Sequence, residues 1–564
     1  MKAQKRKPEK QRSAPKPPLK NSSIVLIAAI CLALFCHWVF MATYPINVGQ
    51  SDNVTYLAML INGSSHLMQA SGYPAIIYYL RFSPFLILPQ PDIPSRQISD
   101  IKPAWFDTLQ LMQFVLHLAV FGASVFLCRK VFGDVAAVIL TLGWGCNALF
   151  ISNVDATAPE WLEADFLILV VLMHAFARRL TVAKKALIYS SAAVLFGVAY
   201  VVKFNAILFG LTLAGFLLFD KATWRFKALQ AVASAVLYLI VTNWFAQTYH
   251  LRNTGTTTLT FDHAWVMTAS LPEDYVIKSP ENLGLNSLRW SVLVRVTPLD
   301  YFRAGVVENI KYGPVPEEQK TYDQRWDQVF KMSRSDLLTY LEQHPVPKDF
   351  RQWPSAVPLY YYYGLAKADA LGQKVYLESL LSHPGFHFQK LWRAHLKFLT
   401  DGLKDIKVFP TFKDTMGFTI LPPEPNAGFF TQSRIVPKAG VVPYFEQYYN
   451  PREKAWYTGI KIAQVIDTAT STTTVYLFLN VVALAGLFML KTAFDRITAL
   501  SILLGILVFI SASGMLLGLR QKELITITPL YFLLLSIVLP VVVASLMTMI
   551  RARSGEQQSN SKKA

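Results

Sequence analysis

The strongest constraint on this chain is a series of uninterrupted apolar stretches, each long enough to cross a lipid bilayer. A transmembrane helix needs about 20 consecutive apolar residues. Only 16% of the residues are charged, against about 25% in ordinary soluble domains. The sequence therefore predicts a polytopic α-helical membrane protein with about ten transmembrane helices, at 24–44, 108–127, 131–151, 164–180, 187–203, 206–219, 228–246, 473–490, 497–518 and 525–549.

The formal net charge of +18 is unevenly distributed along the chain. The whole excess lies in the two tails and in the short connections at 128–134, 178–185, 220–227 and 491–496, while the rest of the chain is balanced. Lys and Arg in short loops favour the cytoplasmic side. The charge thus predicts that both termini lie in the cytoplasm, and it gives no reason to expect a nucleic-acid partner. The Lys-rich tails and the general style of the sequence favour an integral protein of a bacterial inner membrane.

The spans and loops divide the chain into five parts. We expect a disordered basic tail (1–22), an N-terminal transmembrane module (23–246) with a first external loop at 45–107, an extracytoplasmic α or α/β segment (247–472), C-terminal transmembrane helices (473–549) and a second disordered tail (550–564). The apolar part of the first loop, 74–88, predicts a re-entrant or surface helix. An amphipathic helix near 373–400, broken at 383–385, either lies on the outer leaflet or packs on its own domain.

The first external loop carries an Asp followed four residues later by a Tyr, in SDNVTYLAM (51–59), and then a Gly-Tyr-Pro turn at 72–74. A carboxylate beside a span is ordinarily a solvated loop residue. This pattern, however, resembles the GT-C superfamily of membrane glycosyltransferases, in the branch that contains protein O-mannosyltransferases and bacterial aminoarabinose lipid A transferases. The resemblance implies that Asp52 is the general base that deprotonates the acceptor, and that Tyr56 and Tyr73 bind substrate.

A second acidic group, NVDATAPEWLEAD (153–165), precedes the fourth predicted span. It resembles the second acidic motif of the same superfamily, with Glu160 as the preferred match, Asp155 next and Glu163 third. The resemblance implies a role in orienting the acceptor or a neighbouring cation. The alternative is that these acids favourably meet the dipole at a helix N-terminus. The segment has no Asp-x-Asp pattern, so no cofactor is certain and a divalent metal is possible but not indicated.

A lipid-phosphate leaving group requires cations near the outer leaflet, because negative charge grows on the phosphate as the sugar departs. Lys203 at the end of a predicted span and Arg520 before the last span are the candidates, with Arg81 as a third. The alternative for each is snorkelling at the bilayer interface. His387 and Arg393 in the amphipathic stretch rank below them.

These resemblances imply an inverting hexosyl- or pentosyltransferase. Its donor would be a polyprenyl-phosphate sugar, and its acceptor an extracytoplasmic hydroxyl or phosphate on a glycan, lipid or protein; the lipid bilayer is its other partner. An O-antigen ligase or polymerase also combines many spans with a large external loop. A transporter or flippase is the alternative from a different class, although its charges are typically near the bilayer midplane.

Overall fold

The structure is a computed structural model. It describes residues 22–43, 56–57, 59–60, 70–80, 82–83, 86–87, 103–254, 257–259, 267, 270–272, 275–276, 280–297, 316–345, 356–400, 418–421, 434–437, 457–471, 473–516 and 521–561. Of the predicted site residues, Asp52, Arg81 and Arg520 lie outside these described residues.

The N-terminal module is built from helices joined by short connections. They are α1 (Ser22–Thr43), α2 (Gly72–Leu80), α3 (Pro103–Phe132), α4 (Asp134–Gly145), α5 (Ala148–Val154), α6 (Glu160–Ala177), α7 (Val182–Val202), a 3₁₀ helix (Phe204–Phe209), α8 (Gly210–Leu218) and α9 (Trp224–Phe245), which continues through a π-helical turn (Ala246–His250) and Leu251–Thr254. Between α2 and α3, strands β1 (Phe82–Ser83) and β2 (Leu86–Ile87) pair antiparallel.

The segment that the sequence predicts to be external (247–472), called the external segment for that prediction, and the C-terminal helices follow. The helices of the external segment are α10 (Leu285–Val296), α11 (Pro316–Lys331), α12 (Arg334–Gln343), α13 (Ala356–Tyr363), α14 (Leu365–Ser382) and α15 (Pro384–Thr400). Next come the antiparallel hairpin β3 (Phe418–Leu421) and β4 (Arg434–Pro437), and then α16 (Tyr457–Ser471), α17 (Thr473–Met489), α18 (Ala493–Leu516) and α19 (Gln521–Ser561).

Every predicted span corresponds to a helix, but the total of ten is not confirmed. Among the described residues, six helices are long and apolar enough to cross a membrane, namely α1, α3, α7, α9, α18 and α19. The bent pair of α4 and α5 makes a seventh, with an angle of 64°. The other three predicted spans are shorter apolar helices (α8 with its 3₁₀ turn, and α17) or, for α6, a helix with three carboxylates near its start.

The helix α6 is the centre of the transmembrane module. Residues such as Trp161, Leu167 and Val171 are buried around its whole circumference, and it packs against α3, α7 and α19. A helix that is covered on all sides must be surrounded by other helices. The carboxylates at its start therefore lie inside the bundle.

The helix predicted in the first external loop is present, but it is shorter than expected and it is not a surface helix. Tyr73, Pro74 and Ile77 of α2 are buried. A Cβ atom at Gly72 would lie 2.3 Å from the carbonyl oxygen of Val201, so only glycine permits this approach to α7. The Gly-Tyr-Pro turn is thereby packed against the end of α7.

The connections that are rich in Lys and Arg meet at one end of the bundle, which we call the basic end: 129–134, 178–185, 219–227 and 490–496. Arg129 donates to Ser23 Oγ at the start of α1 (3.0 Å) and to Asp134 (2.6 Å). Arg178 donates to the Phe219 carbonyl (3.0 Å) and, like Arg179, lies over the Phe494 ring. These contacts join three of the connections, which are distant in sequence, and attach the fourth, 129–134, to the start of α1.

The external segment has a hydrophobic core of its own, which includes Trp290, Leu288 and Tyr360. The amphipathic stretch is split as predicted, because α14 ends at Ser382 and α15 begins at Pro384. The helix α14 packs into this core through Val375. In contrast, α15 packs along α18, where His395 Nε2 lies 3.0 Å from Ser511 Oγ.

The structure corrects the expectation for the C-terminal tail and shows where His387 and Arg393 lie. The helix α19 continues to Ser561, so most of the C-terminal tail is helical instead of disordered; residues such as Arg, Glu and Gln propagate a helix well. His387 and Arg393 both lie on α15 in the external segment. His387 is buried and bonded to Ser379 Oγ at 3.0 Å, whereas Arg393 is exposed.

Candidate active site at one end of the helix bundle

The carboxylates of the second acidic group lie at the opposite end of the helices from the basic end. We call this the acidic end and define it by Asp155, Glu160, Glu163, Lys203 and Glu523. Its members come from the connection after α5, the first turn of α6, the residue after α7 and the first turn of α19. All four carboxylates are at most 5% exposed, so the tertiary structure gathers residues far apart in sequence into one buried group.

Lys203 and Glu160 form an ion pair at this end. Lys203 Nζ donates to Glu160 Oε1 at 2.7 Å, with the two side chains 14% and 6% exposed. A buried ammonium needs such a partner, because removing a charge from water is costly. Lys203 therefore does not simply snorkel to the interface; it is held inside the bundle beside the preferred carboxylate of the second motif.

Glu163 is the second carboxylate in the first turn of α6, and it is fully buried. Its Oε2 accepts a hydrogen bond from Thr526 Oγ1 of α19 at 2.8 Å. Among the described residues its Oε1 has no hydrogen-bond partner. Lys203, Glu160 and Glu523 all act on it electrostatically. The third-ranked residue of the motif is thus as central to the site as Glu160.

The capping alternative explains only part of this arrangement. Acids in the first turn of α6 do favour its dipole. However, the N-cap residue is Pro159, which has no side-chain cap, and the side chains of Glu160 and Glu163 reach α7 and α19. Their contacts hold separate helices together, which a capping role alone does not require.

Tyr73 and Tyr56 of the first loop pack against each other beside the acidic residues of α6. The Tyr73 ring lies edge-on to Tyr56 (5.9 Å between centroids) and to Trp161 (6.3 Å), which follows Glu160. The Tyr73 hydroxyl donates to Gln113 Oε1 of α3. The structure therefore brings Tyr73 into contact with the start of α6, and Tyr56 into contact with Tyr73.

Asp155, at the C-cap of α5, is held in place by hydrogen bonds to the backbone carbonyls of the residues on either side of it. Gln113 Nε2 donates to the carbonyl oxygens of Val154 (2.6 Å) and Ala156 (3.1 Å), on either side of it. The Asp155 side chain is 5% exposed. Gln113 thus links the Gly-Tyr-Pro turn to the connection that carries this carboxylate.

Asp52, Arg81 and Arg520 keep the status of predictions, since they lie outside the described residues. In the sequence, Asp52 precedes Tyr56 by four residues and Arg520 directly precedes α19. Within the described part of the chain, no group of three or more His, Cys, Asp or Glu residues is placed to hold a metal ion.

Several residues of the site were not predicted from the sequence, chiefly Gln113, His117, Glu523 and Thr526. A signal for two of them was present. Buried polar residues of α3 recur at spacings of three, four and seven, the period of one helix face in an otherwise apolar span, namely Gln110, Gln113, His117 and Ser124. Such a stripe marks the side that faces other helices.

The fold is similar to that of the archaeal oligosaccharyltransferase AglB from Archaeoglobus fulgidus, in a complex with an inhibitory peptide and a dolichol-phosphate. The TM-score is 0.42 and the sequence identity 12%; the match covers 95% of this chain and 52% of AglB. This chain thus spans about half the length of that neighbour. No protein-family model and no curated protein match the sequence.

Proposed function

We propose that this protein is an inverting hexosyl- or pentosyltransferase that moves a sugar from a polyprenyl-phosphate donor to an extracytoplasmic hydroxyl or phosphate. The acceptor would be a glycan, a lipid or a protein. The acidic end would face the outside of a bacterial inner membrane and the basic end the cytoplasm, which also places both termini inside. The observation that carries the proposal is the buried Glu160–Lys203 pair, with Glu163 one helical turn away.

The location of that pair supports the proposal because it lies where the first-loop motif converges on the second. The Gly-Tyr-Pro turn packs on the last turn of α7, directly before Lys203. Tyr73 contacts Trp161, directly after Glu160. Both motifs of the superfamily resemblance are therefore represented in one buried site, on helix ends that share a side of the bundle.

In the proposed reaction, the acceptor oxygen attacks the anomeric carbon while Asp52 takes the acceptor proton. The bond between the anomeric carbon and the phosphate oxygen breaks, and its electron pair stays on the polyprenyl phosphate. Lys203 and Arg520 would stabilise the charge that develops there. The displacement is single and in line, with no covalent enzyme intermediate, so the configuration at the anomeric carbon inverts.

Glu160 would shape the site by aiming Lys203. An ammonium group has three N–H donors, and one of them is used at 2.7 Å by Glu160. Because Glu160 holds the Lys203 side chain in one rotamer, the remaining N–H donors are already oriented when a phosphate oxygen binds. The surrounding carboxylates outnumber Lys203, so a second cation is required for an anionic donor. Arg520 has the right position in the sequence to supply it.

The first experiment asks whether a lipid-linked sugar is the donor. Protein purified in mild detergent is extracted with organic solvent, and the lipids are identified by mass spectrometry. We expect a polyprenyl-phosphate sugar in the extract, and transfer of its sugar by the purified protein. Recovery of other lipids alone, with no transfer from any polyprenyl-phosphate sugar, would overturn the proposed function.

The second experiment tests the general base. Asp52→Asn removes the proton acceptor but keeps the shape of the side chain, so transfer should fall by about 10²–10⁴-fold. Asp107→Asn in α3, another carboxylate of the same external loop, is the matched control and should keep wild-type transfer. Equal transfer by wild type and Asp52→Asn would exclude Asp52 as the base.

A further inference from the structure

A chain of polar side chains crosses the interior of the transmembrane module below the acidic end. His117 of α3 lies between His37 of α1 and Asp165 of α6, and all three are at most 1% exposed. His37 Nε2 and His117 Nε2 are 3.0 Å apart, and His117 Nδ1 is 2.9 Å from Asp165 Oδ2. Polar groups at this depth are costly unless they are paired, and they usually serve a function.

The hydrogen bonds among His37, His117 and Asp165 determine how many protons these three side chains hold. His37 Nδ1 must donate to the Ala33 carbonyl at 2.9 Å, since a carbonyl cannot donate. One proton lies between the two Nε2 atoms, and one lies between His117 Nδ1 and Asp165. Two neutral imidazoles and one ionised carboxylate would hold two protons and carry one negative charge. The three hydrogen bonds require a third proton, which makes the three side chains neutral as a group. Neutrality explains how it is accommodated in an apolar interior.

The same face of α3 carries Gln113, one turn from His117 and fully buried. Gln113 holds the Tyr73 hydroxyl of α2 and the carbonyls of Val154 and Ala156. Asp165 lies in α6, little more than one turn after Glu160. Through these two side chains α3 is bonded to α2, to the connection at Asp155 and to α6.

We propose that Gln113 and His117 are positioning residues that hold the Gly-Tyr-Pro turn, the connection at Asp155 and the first turns of α6 in the geometry needed for sugar transfer. The proposal rests on the proposed function. A misplacement of about 1 Å in a catalytic group can cost 10²-fold in rate, and the hydrogen bonds of Gln113 and His117 connect α3 directly to the elements that carry these groups. His37 completes the chain by anchoring it to α1.

Two substitutions of Asp165 separate position from charge. Asp165→Asn can donate from Nδ2 to His117 Nδ1, which preserves three bonds and a neutral chain, so its kcat should stay within about threefold of wild type. Asp165→Leu removes the bond, and its kcat should fall by about tenfold or more. Equal loss in both variants would show that an ionised carboxylate is needed and would overturn the neutral chain.

Gln113→Met tests the part of the polar face of α3 that lies nearer the acidic end, and it leaves His37 and His117 unchanged. It leaves the two carbonyls beside Asp155 without their donor, and kcat should fall by about tenfold or more while the donor KM changes less. Gln230→Met is the matched control, because Gln230 is also buried in a span but, in the part of the chain that the structure describes, its side chain bonds only Ser190 and Ser234. Its kcat should equal that of wild type.

Hydrogen–deuterium exchange gives a readout that does not depend on activity. In Asp165→Leu and Gln113→Met, the amides of 154–163 should exchange faster than in wild type, and in Asp165→Asn and Gln230→Met they should not. Unchanged exchange and unchanged kcat in the first two would overturn the positioning role. A wild-type protein with no transfer would instead contradict the proposed function, and the exchange result would still decide this inference.

Discussion

The two ends of the bundle each contain a buried Lys–carboxylate pair, and the two pairs are built differently. At the basic end, Asp220 accepts from Lys185 (2.6 and 2.9 Å), the Tyr189 hydroxyl (2.9 Å) and the Ala222 amide (2.7 Å). Both of its oxygens are thus bonded twice. At the acidic end, Lys203 is surrounded by several carboxylates, one of which, Glu163, has an oxygen without a hydrogen-bond partner in the described part of the chain.

This difference distinguishes a structural pair from a candidate functional one. A saturated carboxylate such as Asp220 has no remaining acceptor position for a ligand, and its bonds fasten the connection between α8 and α9 to α7. In contrast, Glu163 at the acidic end keeps an oxygen that accepts no hydrogen bond in the described part of the chain. A buried acceptor without a partner is an exception in native structures, and it leaves a position that a ligand can fill.

The largest contrast is expected from removing the lysine of each pair. Lys203→Met should lower transfer by about 10²–10³-fold, because a cation facing the leaving phosphate is lost. Lys185→Met should leave the transfer by folded protein unchanged. Each change removes one partner of a buried pair, which costs about 3–5 kcal/mol, so both should lower the melting temperature.

Transfer and thermal unfolding are therefore measured together, at a temperature where both variants are folded. If both variants lost transfer in proportion to their stability, the two ends would be equivalent and the functional reading of the acidic end would be wrong.

A smaller contrast is expected between two arginines. Arg520→Met should raise the donor KM by roughly tenfold or more, as for the loss of a charge-assisted hydrogen bond of about 1.5–3 kcal/mol. Arg496→Met, at the basic end, removes a bond to the Leu490 carbonyl and should leave KM unchanged. Steady-state kinetics with varied donor give both values, and an unchanged KM in Arg520→Met would remove Arg520 from the phosphate site.

Two threonines offer a finer comparison. Thr526→Val removes the donor to Glu163 without changing the side-chain shape, and it should lower the free energy of unfolding by about 1–3 kcal/mol. Thr498→Val in α18 removes a bond to the Phe494 carbonyl within the same helix. That carbonyl keeps its backbone partner in the helix, so the loss should be only about 0.5 kcal/mol. Denaturation of the two variants in the same detergent measures the difference; equal losses would mean that Glu163 gains nothing from Thr526.

The orientation of the two ends relative to the membrane can be tested without measuring activity. In a cysteine-free background, cysteines at Ser51 and Arg434 should react with a membrane-impermeant reagent from outside intact cells. A cysteine at Arg179 should react only after the cells are opened. Labelling of Arg179 from outside would reverse the assignment of the basic end to the cytoplasm.

Much of the architecture could be predicted from the sequence because membrane insertion depends on local properties. Each predicted span coincides with a helix, since twenty apolar residues have no other way to pair their backbone groups in a bilayer. The bend of 64° between α4 and α5 was not predicted. It occurs where Asn147 Oδ1 accepts from the Phe150 amide, a local cap that ends one helix and starts the next.

The candidate site was only partly predictable for a different reason. Glu160 was identified through the resemblance of its segment to the second acidic motif of the superfamily, and Lys203 because a leaving phosphate requires a cation near the outer leaflet. Their pairing could not be predicted, since 43 residues separate them and only the packing of α6 against α7 brings them together. The same holds for Glu163 and Thr526, which are 363 residues apart.

The sequence alone thus determined which segments form apolar helices and which loops carry the positive charge, because both are properties of single segments. The tertiary structure decided which charges meet. It placed the ends of α6, α7 and α19 together and lined up Gln113 and His117 against the elements beside them, since contacts between helices depend on the shapes of all the side chains that pack between them.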